Sequence, residues 1–192
     1  MNYFGIFSKI YETVAQEKCL DCQAFIKRGS KILDFGCGSG IMAKKFQDFF
    51  KAEIIGVDIE DNRVSPIPFK KIDGKSLPFP DDSFDIVLIS YVLHHAKEPV
   101  TLLKEAKRVG KKIIIYEDLP EGIISELRCL LHQTTFNFFF PEQTKKFNFK
   151  NEKEWEKIFK ELKLKTIAKK RISNKFDLID PVFKIFFVLE KV

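Results

Sequence analysis

The chain is poor in several residue types, and each shortage excludes something. Tryptophan occurs once, methionine twice and histidine three times. No apolar run approaches the ~20 residues a membrane helix needs; one of the longest, residues 86–93, is far shorter, and no membrane span is expected. Lys9, Glu12, Gln16 and Glu17 interrupt residues 1–20, which therefore lack the continuous core of a secretory leader. Cysteines stand only at positions 19, 22, 37 and 129. Cys19 and Cys22 make a C-x-x-C pair, but no second pair and no suitably spaced histidine pair accompanies it, so no metal site is expected. Free thiols suit a reducing compartment, and cytoplasm is the expected location. Internal repeats and Pro- or Gly-rich linkers are also missing.

What is present is an ordinary globular balance, 45% hydrophobic and 31% charged, with phenylalanine in excess at 21 residues. The 192 residues suffice for one domain with a sizeable core. Within it, residues 1–30 are expected to form a helical cover and residues 121–150 an inserted helix and lid. The formal charge of +6 favours acidic partners in general. The lysines of 145–175 alternate with glutamates, however, as on a solvated face, and a nucleic-acid partner is not expected. Nothing bears on oligomeric state.

Periodicity gives a strand–helix alternation. Residues 6–28 place Ile6, Phe7, Ile10, Val14, Leu20, Ala24 and Phe25 at helical spacing. Strands are predicted at 31–34, 53–58, 69–72, 84–90 and 112–116, with helices at 41–50 and 99–108. The run F-D-I-V-L-I-S at 84–90 is nearly all apolar, as a parallel strand buried on both faces requires. Beyond it, 122–132 reads as a helix with Ile123, Ile124, Leu127, Leu130 and Leu131 on one face. A Phe-, Thr- and Asn-rich connection at 134–150, a helix at 152–162 and paired strands at 164–172 and 182–189 complete the chain. The fold class is α/β: a Rossmann-like, doubly wound, mostly parallel seven-stranded sheet ending in an antiparallel hairpin.

The segment I-L-D-F-G-C-G-S-G at 32–40 runs from a strand through a glycine loop into a helix. Glycines there let backbone N–H groups approach a ligand closely. Asp34 distinguishes between ligands, because a carboxylate two residues before Gly36 would repel a pyrophosphate and favour an ammonium or sulfonium. The loop also lacks the dinucleotide spacing G-x-G-x-x-G. Asp58 closes the second strand 22 residues after Gly36, where an acid accepts from ribose hydroxyls. Ile59 is placed to pack on a base, and Asp73 to accept from its amino group.

These segments resemble the class I S-adenosylmethionine-dependent methyltransferases, in particular the small-molecule group that includes the ubiquinone and menaquinone biosynthesis enzymes. I-L-D-F-G-C-G-S-G is similar to that family's first motif and I-I-G-V-D-I to its ribose strand. D-G-K-S-L-P-F-P-D-D-S-F-D-I-V-L-I-S-Y-V-L-H-H, residues 73–95, resembles the stretch around its fourth strand, and L-L-K-E-A-K-R-V at 102–109 the helix that follows. The resemblance implies S-adenosylmethionine as cofactor. It assigns Asp34, Gly36 and Gly38 to the methionine end, Asp58 to the ribose, Asp73 and Gly74 to the adenine, and Ser90 to the methionine portion through its backbone. Tyr11 falls in a segment similar to the helix that closes over the cofactor. Two departures stand out. Only residues 60–69 separate Asp58 from the third strand, fewer than the dozen a parallel crossover usually takes, so the helix expected there is reduced to a turn. The family's Pro-Gly-Gly before the fifth strand is shortened to Gly110-Lys111-Lys112.

Methyl transfer asks the protein mainly to align reactants and exclude water. A base is needed only where the acceptor must lose a proton, and His94 and His95, just past the fourth strand, are the candidate catalytic residues. The acceptor is expected to be a small apolar or aromatic molecule under a cover containing Phe136, Phe138, Phe139, Phe140, Phe147 and Phe149. Alternatives are a nucleic-acid or protein methyltransferase, or a non-catalytic protein that binds S-adenosylmethionine. The position that carries Asn/Asp-Pro-Pro-aromatic in base-methylating enzymes reads Ser90-Tyr91-Val92-Leu93, which disfavours the first.

Overall fold

The computed structural model describes residues 8–139, 146–172 and 182–192. Ile6, Phe7 and Phe140, and the side chains of Phe136 and Phe139, lie outside the described set. The chain runs α1 (Ser8–Cys22), β1 (Lys31–Phe35), α2 (Ile41–Phe50), β2 (Glu53–Asp58), β3 (Phe69–Lys71), β4 (Phe84–Ser90), α3 (Pro99–Val109), β5 (Gly110–Leu119), α4 (Ile123–Phe139), α5 (Glu152–Glu161), β6 (Leu164–Ile172) and β7 (Phe183–Lys191). One seven-stranded sheet is formed in the order β3-β2-β1-β4-β5-β7-β6. The strands β1 to β5 are mutually parallel, and β7 joins β5 antiparallel with β6 antiparallel to β7.

Alternation along these strands divides the core in two. Leu33, Phe35, Val87, Ile89, Ile113 and Ile115 face one side with Leu103 of α3 and Trp155 and Phe159 of α5. Ile32, Ile54, Ile86, Leu88, Ile114 and Tyr116 face the other with Cys19 and Cys22 of α1 and Phe46 and Phe50 of α2. Because successive side chains point to opposite faces, a sheet covered on both sides requires near-continuous apolar strands. The β1 and β4 patterns meet that requirement.

Register sets the position of the site. Phe35 is paired with both Val57 and Ile89, and Ser90 with Tyr116, so β1, β2, β4 and β5 bring their C-terminal ends to one edge. Strand order reverses between β1 and β4, which opens a crevice where α/β sheets bind ligands. The connection between β2 and β3 contains no helix, as its length requires. Arg63 braces it: the guanidinium donates to Asp61 Oδ1 and Oδ2 at 2.7 Å each and to the Ile67 carbonyl, and lies 4.5 Å from the Phe69 ring centroid.

Three elements depart from the sequence expectation. β5 is twice the predicted length, because its further residues pair with β7. The helix predicted at 122–132 continues to Phe139 and takes in part of the expected connection. Its face is also reversed: Ile123, Ile124, Leu127, Leu130 and Leu131 are exposed, while Ser125 and Cys129 are buried. In α1 the buried stripe is Ala15, Lys18, Cys19 and Cys22, and Ile10 and Leu20 face outward. The C-x-x-C pair thus belongs to a packed helix face. Both thiols are free, and burial pushes each up to about 12.

Replacing Phe46, which is fully buried, by alanine is expected to cost about 3–5 kcal/mol in urea unfolding. Ile123→Ala, on the exposed face of α4, should stay within about 0.5 kcal/mol. A large loss at Ile123 would mean that this face is covered.

Candidate active site

The loop after β1 turns on glycines that no other residue could replace without strain. Gly36 has φ 79° and a side chain there would collide with Val92. Gly38 has φ 47°, with open space where a Cβ would point. The N–H groups of Gly36 and Cys37 donate to the Val57 carbonyl at 2.8 and 3.1 Å, which ties the loop to β2. Asp58 completes the tie, accepting from Gly38 N at 2.9 Å through Oδ2 and from Ile59 N at 2.7 Å through Oδ1. Burial raises the Asp58 pKa, although these backbone hydrogen bonds oppose the shift.

Asp34 lies at the base of the loop, 2% exposed. Its Oδ2 is buried and has no hydrogen-bond partner among the described residues, which is costly for a carboxylate unless a ligand supplies the partner. Burial, with Asp58 nearby, pushes its pKa up to about 7, while Lys18 acts the other way. Lys18 is the neighbouring cation. Its ammonium donates to Ser90 Oγ at 2.7 Å and sits 3.9 Å and 4.4 Å from the ring centroids of Tyr91 and Tyr116. Burial lowers its pKa to about 7 against the pull of Asp118, Cys22, Asp34 and Glu117.

On the next strand, Ile59 and Gly74 approach each other: a Cβ on Gly74 would stand 3.1 Å from Ile59 Cγ2. Asp73 Oδ1 is engaged within its own turn, accepting from Lys75 N at 2.8 Å and Ser76 N at 2.9 Å, and these bonds hold its carboxyl below the usual range. Tyr11 stands on α1 seven residues, about two turns, before Lys18.

At the end of β4 the chain leaves the sheet through Tyr91, whose φ of 57° is uncommon outside glycine. Its N–H donates to the Tyr116 carbonyl at 2.8 Å. The loop that follows is anchored on the buried Glu117 of β5, which accepts from Leu93 N at 2.7 Å and pairs with His94 Nδ1 at 2.6 Å. Burial works against the His94 cation, but Glu117, with Asp118 beyond it, raises the pKa overall. His95 is lowered to about 2 by burial and by the neighbouring His94 and His132.

The phenylalanines of the expected cover behave differently from one another. Phe147 is buried, with its centroid 4.3 Å from His95 and 5.5 Å from both His94 and His132. Phe149 stacks on His94 at 4.8 Å and 15°. Asn148 between them donates its backbone N–H to the His94 carbonyl at 2.7 Å. These two rings pack on the histidines, and Phe138 is 81% exposed.

Sequence reasoning missed Lys18 and Glu117, and read His132, which shares a helix face with Cys129 at i, i+3, as a packing or surface residue. Lys18 carried a legible signal, because it breaks the i, i+3, i+4, i+7 stripe of Ala15, Cys19 and Cys22. Glu117 and His132 carried none, since only the pairing of β5 and the seating of α4 bring them to the loop after β4.

An α/β sheet with a glycine loop and acids at successive strand ends is the arrangement of a nucleoside-type cofactor fold. A methyltransferase-domain family profile matches residues 33–113. The protein MJ1123 of Methanocaldococcus jannaschii is 36% identical over 202 residues, covering 95% of this chain and 91% of its own. The methyltransferase YcgJ of Bacillus subtilis is 33% identical over 54% of this chain; the chain spans about half the length of such curated relatives, 46% for YcgJ. A solved S-adenosylmethionine-dependent methyltransferase from Methanosarcina mazei superposes with a TM-score of 0.71 at 19% identity, covering 90% of this chain and 97% of that one. Over residues 33–113 the chain carries the methyltransferase domain of the class I S-adenosylmethionine-dependent family, whose cofactor is S-adenosylmethionine.

The raised Asp34 pKa makes a testable link to stability. Without ligand the folded state holds the Asp34 proton up to about pH 7, whereas the unfolded chain releases it near 3.8. Raising pH between those values therefore favours unfolding. Asp34→Asn should remove this slope and be more stable than the parent by about 1 kcal/mol or more at pH 8. Parallel stability–pH curves for the two proteins in urea would contradict the assignment.

Proposed function

We propose that the chain is an S-adenosylmethionine-dependent methyltransferase acting on a small apolar or aromatic acceptor. The observation that carries the cofactor side is the Asp34 carboxylate, buried with Oδ2 unpartnered among the described residues, at the start of the loop in which a side chain on Gly38 would meet open space. A cationic methionine end supplies what that oxygen lacks, and a pyrophosphate does not. Bound there, the cofactor contributes an activated methyl group whose carbon–sulfur bond breaks as the acceptor attacks.

In this reading Asp34 faces the ammonium, with Gly36 and Gly38 close to the methionine end. Asp58, which accepts from Gly38 N, exchanges that hydrogen bond for ribose hydroxyls. Ile59, Asp73 and Gly74 border the adenine, with Asp73 offering the oxygen its own turn does not use. Ser90 borders the methionine portion, and Tyr11 covers it from α1. The bracing of 59–68 by Arg63 leaves the adenine side less enclosed than a crossover helix would. Lys18 balances the acids at this edge when no cationic ligand does.

The acceptor then lies toward the loop after β4, against His94 and His95, which act on its nucleophilic atom. Support for an apolar acceptor comes from the exposed apolar residues of α4. Among the described residues, 121–139 and 146–150 serve as the cover, and 8–30 as the cover on the cofactor side.

Titration calorimetry should detect S-adenosylmethionine or its demethylated product without comparable affinity for NAD; equal NAD binding would sink the proposal. Asp58→Ala should weaken the cofactor by roughly 1–3 kcal/mol, and unchanged affinity would remove Asp58 from the site. With an acceptor drawn from a screen using methyl-labelled cofactor, His95→Asn should lower turnover by ~10²-fold or more with cofactor affinity intact. Unaltered turnover would take His95 out of the reaction.

A further inference from the structure

The chain has three histidines, and the fold gathers all of them. His94 and His95 come from the loop after β4 and His132 from the middle of α4, yet each offers a ring nitrogen such that the three atoms lie within 4.8 Å of one another. Ring centroids are 4.2 Å apart for His94 and His95, 5.6 Å for His94 and His132, and 5.5 Å for His95 and His132. A triangle of imidazoles this tight is unusual for mere packing, since apolar side chains would fill the space without bringing buried nitrogens into it.

Two details point to a bound ion. His94 Nδ1 is committed to Glu117 Oε2 at 2.6 Å, and its Nε2 is fully buried with no hydrogen-bond partner among the described residues. A carboxylate on one ring nitrogen, leaving the other presented, is the arrangement that orients metal-ligating histidines and raises their basicity. Burial also grades from His94 through His95 to the exposed His132, which supplies a path of entry from solvent.

We infer that His94, His95 and His132 form a binding site for one divalent transition-metal ion of the zinc class, with Glu117 as the positioning residue behind His94. Imidazole nitrogens suit such an ion, with metal–nitrogen bonds of about 2.0–2.1 Å. Tetrahedral geometry at that bond length puts ligand atoms about 3.4 Å apart, so the exposed His132 closes the site by rotating its side chain. Three protein ligands leave a fourth position open, as catalytic zinc sites do. Water fills it first, and a hydroxyl or thiol of the acceptor can replace that water and release its proton to solvent more readily on the metal. Use of the ion on the acceptor rests on the methyltransferase reading, whereas the metal site itself does not.

The test is to titrate chelator-treated protein with Co(II), followed by displacement with Zn(II). One equivalent of Co(II) should give the visible absorption of a tetrahedral nitrogen-rich site, without the near-ultraviolet sulfur charge-transfer band of cysteine ligation. His132→Ala, a change at an exposed helix position, should weaken Zn(II) by at least ~100-fold, and Glu117→Gln by the ~10–100-fold typical of losing an outer partner. Cofactor titration of the same samples reports folding and the methyltransferase reading independently of metal. No stoichiometric binding, a thiolate spectrum, or affinity unchanged in His132→Ala would overturn the inference, whatever the cofactor result.

Discussion

A carboxylate with no exposed surface must be met by donors, and Glu117 meets two that fix the working edge of this protein. Its oxygens hold the Leu93 N–H and the His94 ring at 2.7 and 2.6 Å. Because Glu117 belongs to β5 and its partners follow β4, the interaction determines where the chain goes after the sheet's central strand. Val92, set by the same loop, packs on Gly36, so the glycine turn after β1 is bounded from this side. The segment 147–149 in turn docks on the histidines that Glu117 orients. Loss of that carboxylate would leave His94 Nδ1 and the Leu93 N–H buried without their acceptor, a penalty of about 1–3 kcal/mol for each neutral group.

Charge at this edge is arranged with the same economy. Asp34, Asp58, Glu117 and Asp118 crowd the ends of three strands, and Lys18 enters from α1 as the neighbouring cation. Burial moves Asp34 and Lys18 each toward its neutral form. In the proposed reading a cationic ligand relieves a site that otherwise leaves Asp34 Oδ2 without a partner among the described residues. Binding and ionisation are thus linked, and the free protein tolerates the cluster only because strands paired on both sides hold it in place.

Elements whose burial is set by the sheet were legible in advance. β2, β4 and β6 match their predicted bounds, since a strand covered on one or both faces must declare itself in local residue type. The helices were located but their faces were not. In α1 and α4 the more hydrophobic positions point outward, and small or polar residues such as Ala15, Lys18, Ser125 and Cys129 are buried. Close approach of a helix to its neighbours favours small side chains, which a reading by hydrophobicity passes over.

The sequence by itself determined the edge proposed to hold the cofactor. Asp34, Gly36, Gly38, Asp58, Asp73 and Gly74 each sit within three residues of a strand end, where local chain geometry suffices to align them. Tertiary structure alone decided the other half. His132 meets His94 and His95 because α4 folds back over the loop after β4, and Glu117 reaches them because β5 is extended by pairing with β7. Residues 23 to 38 positions apart become neighbours through sheet order and helix seating, which no local spacing encodes.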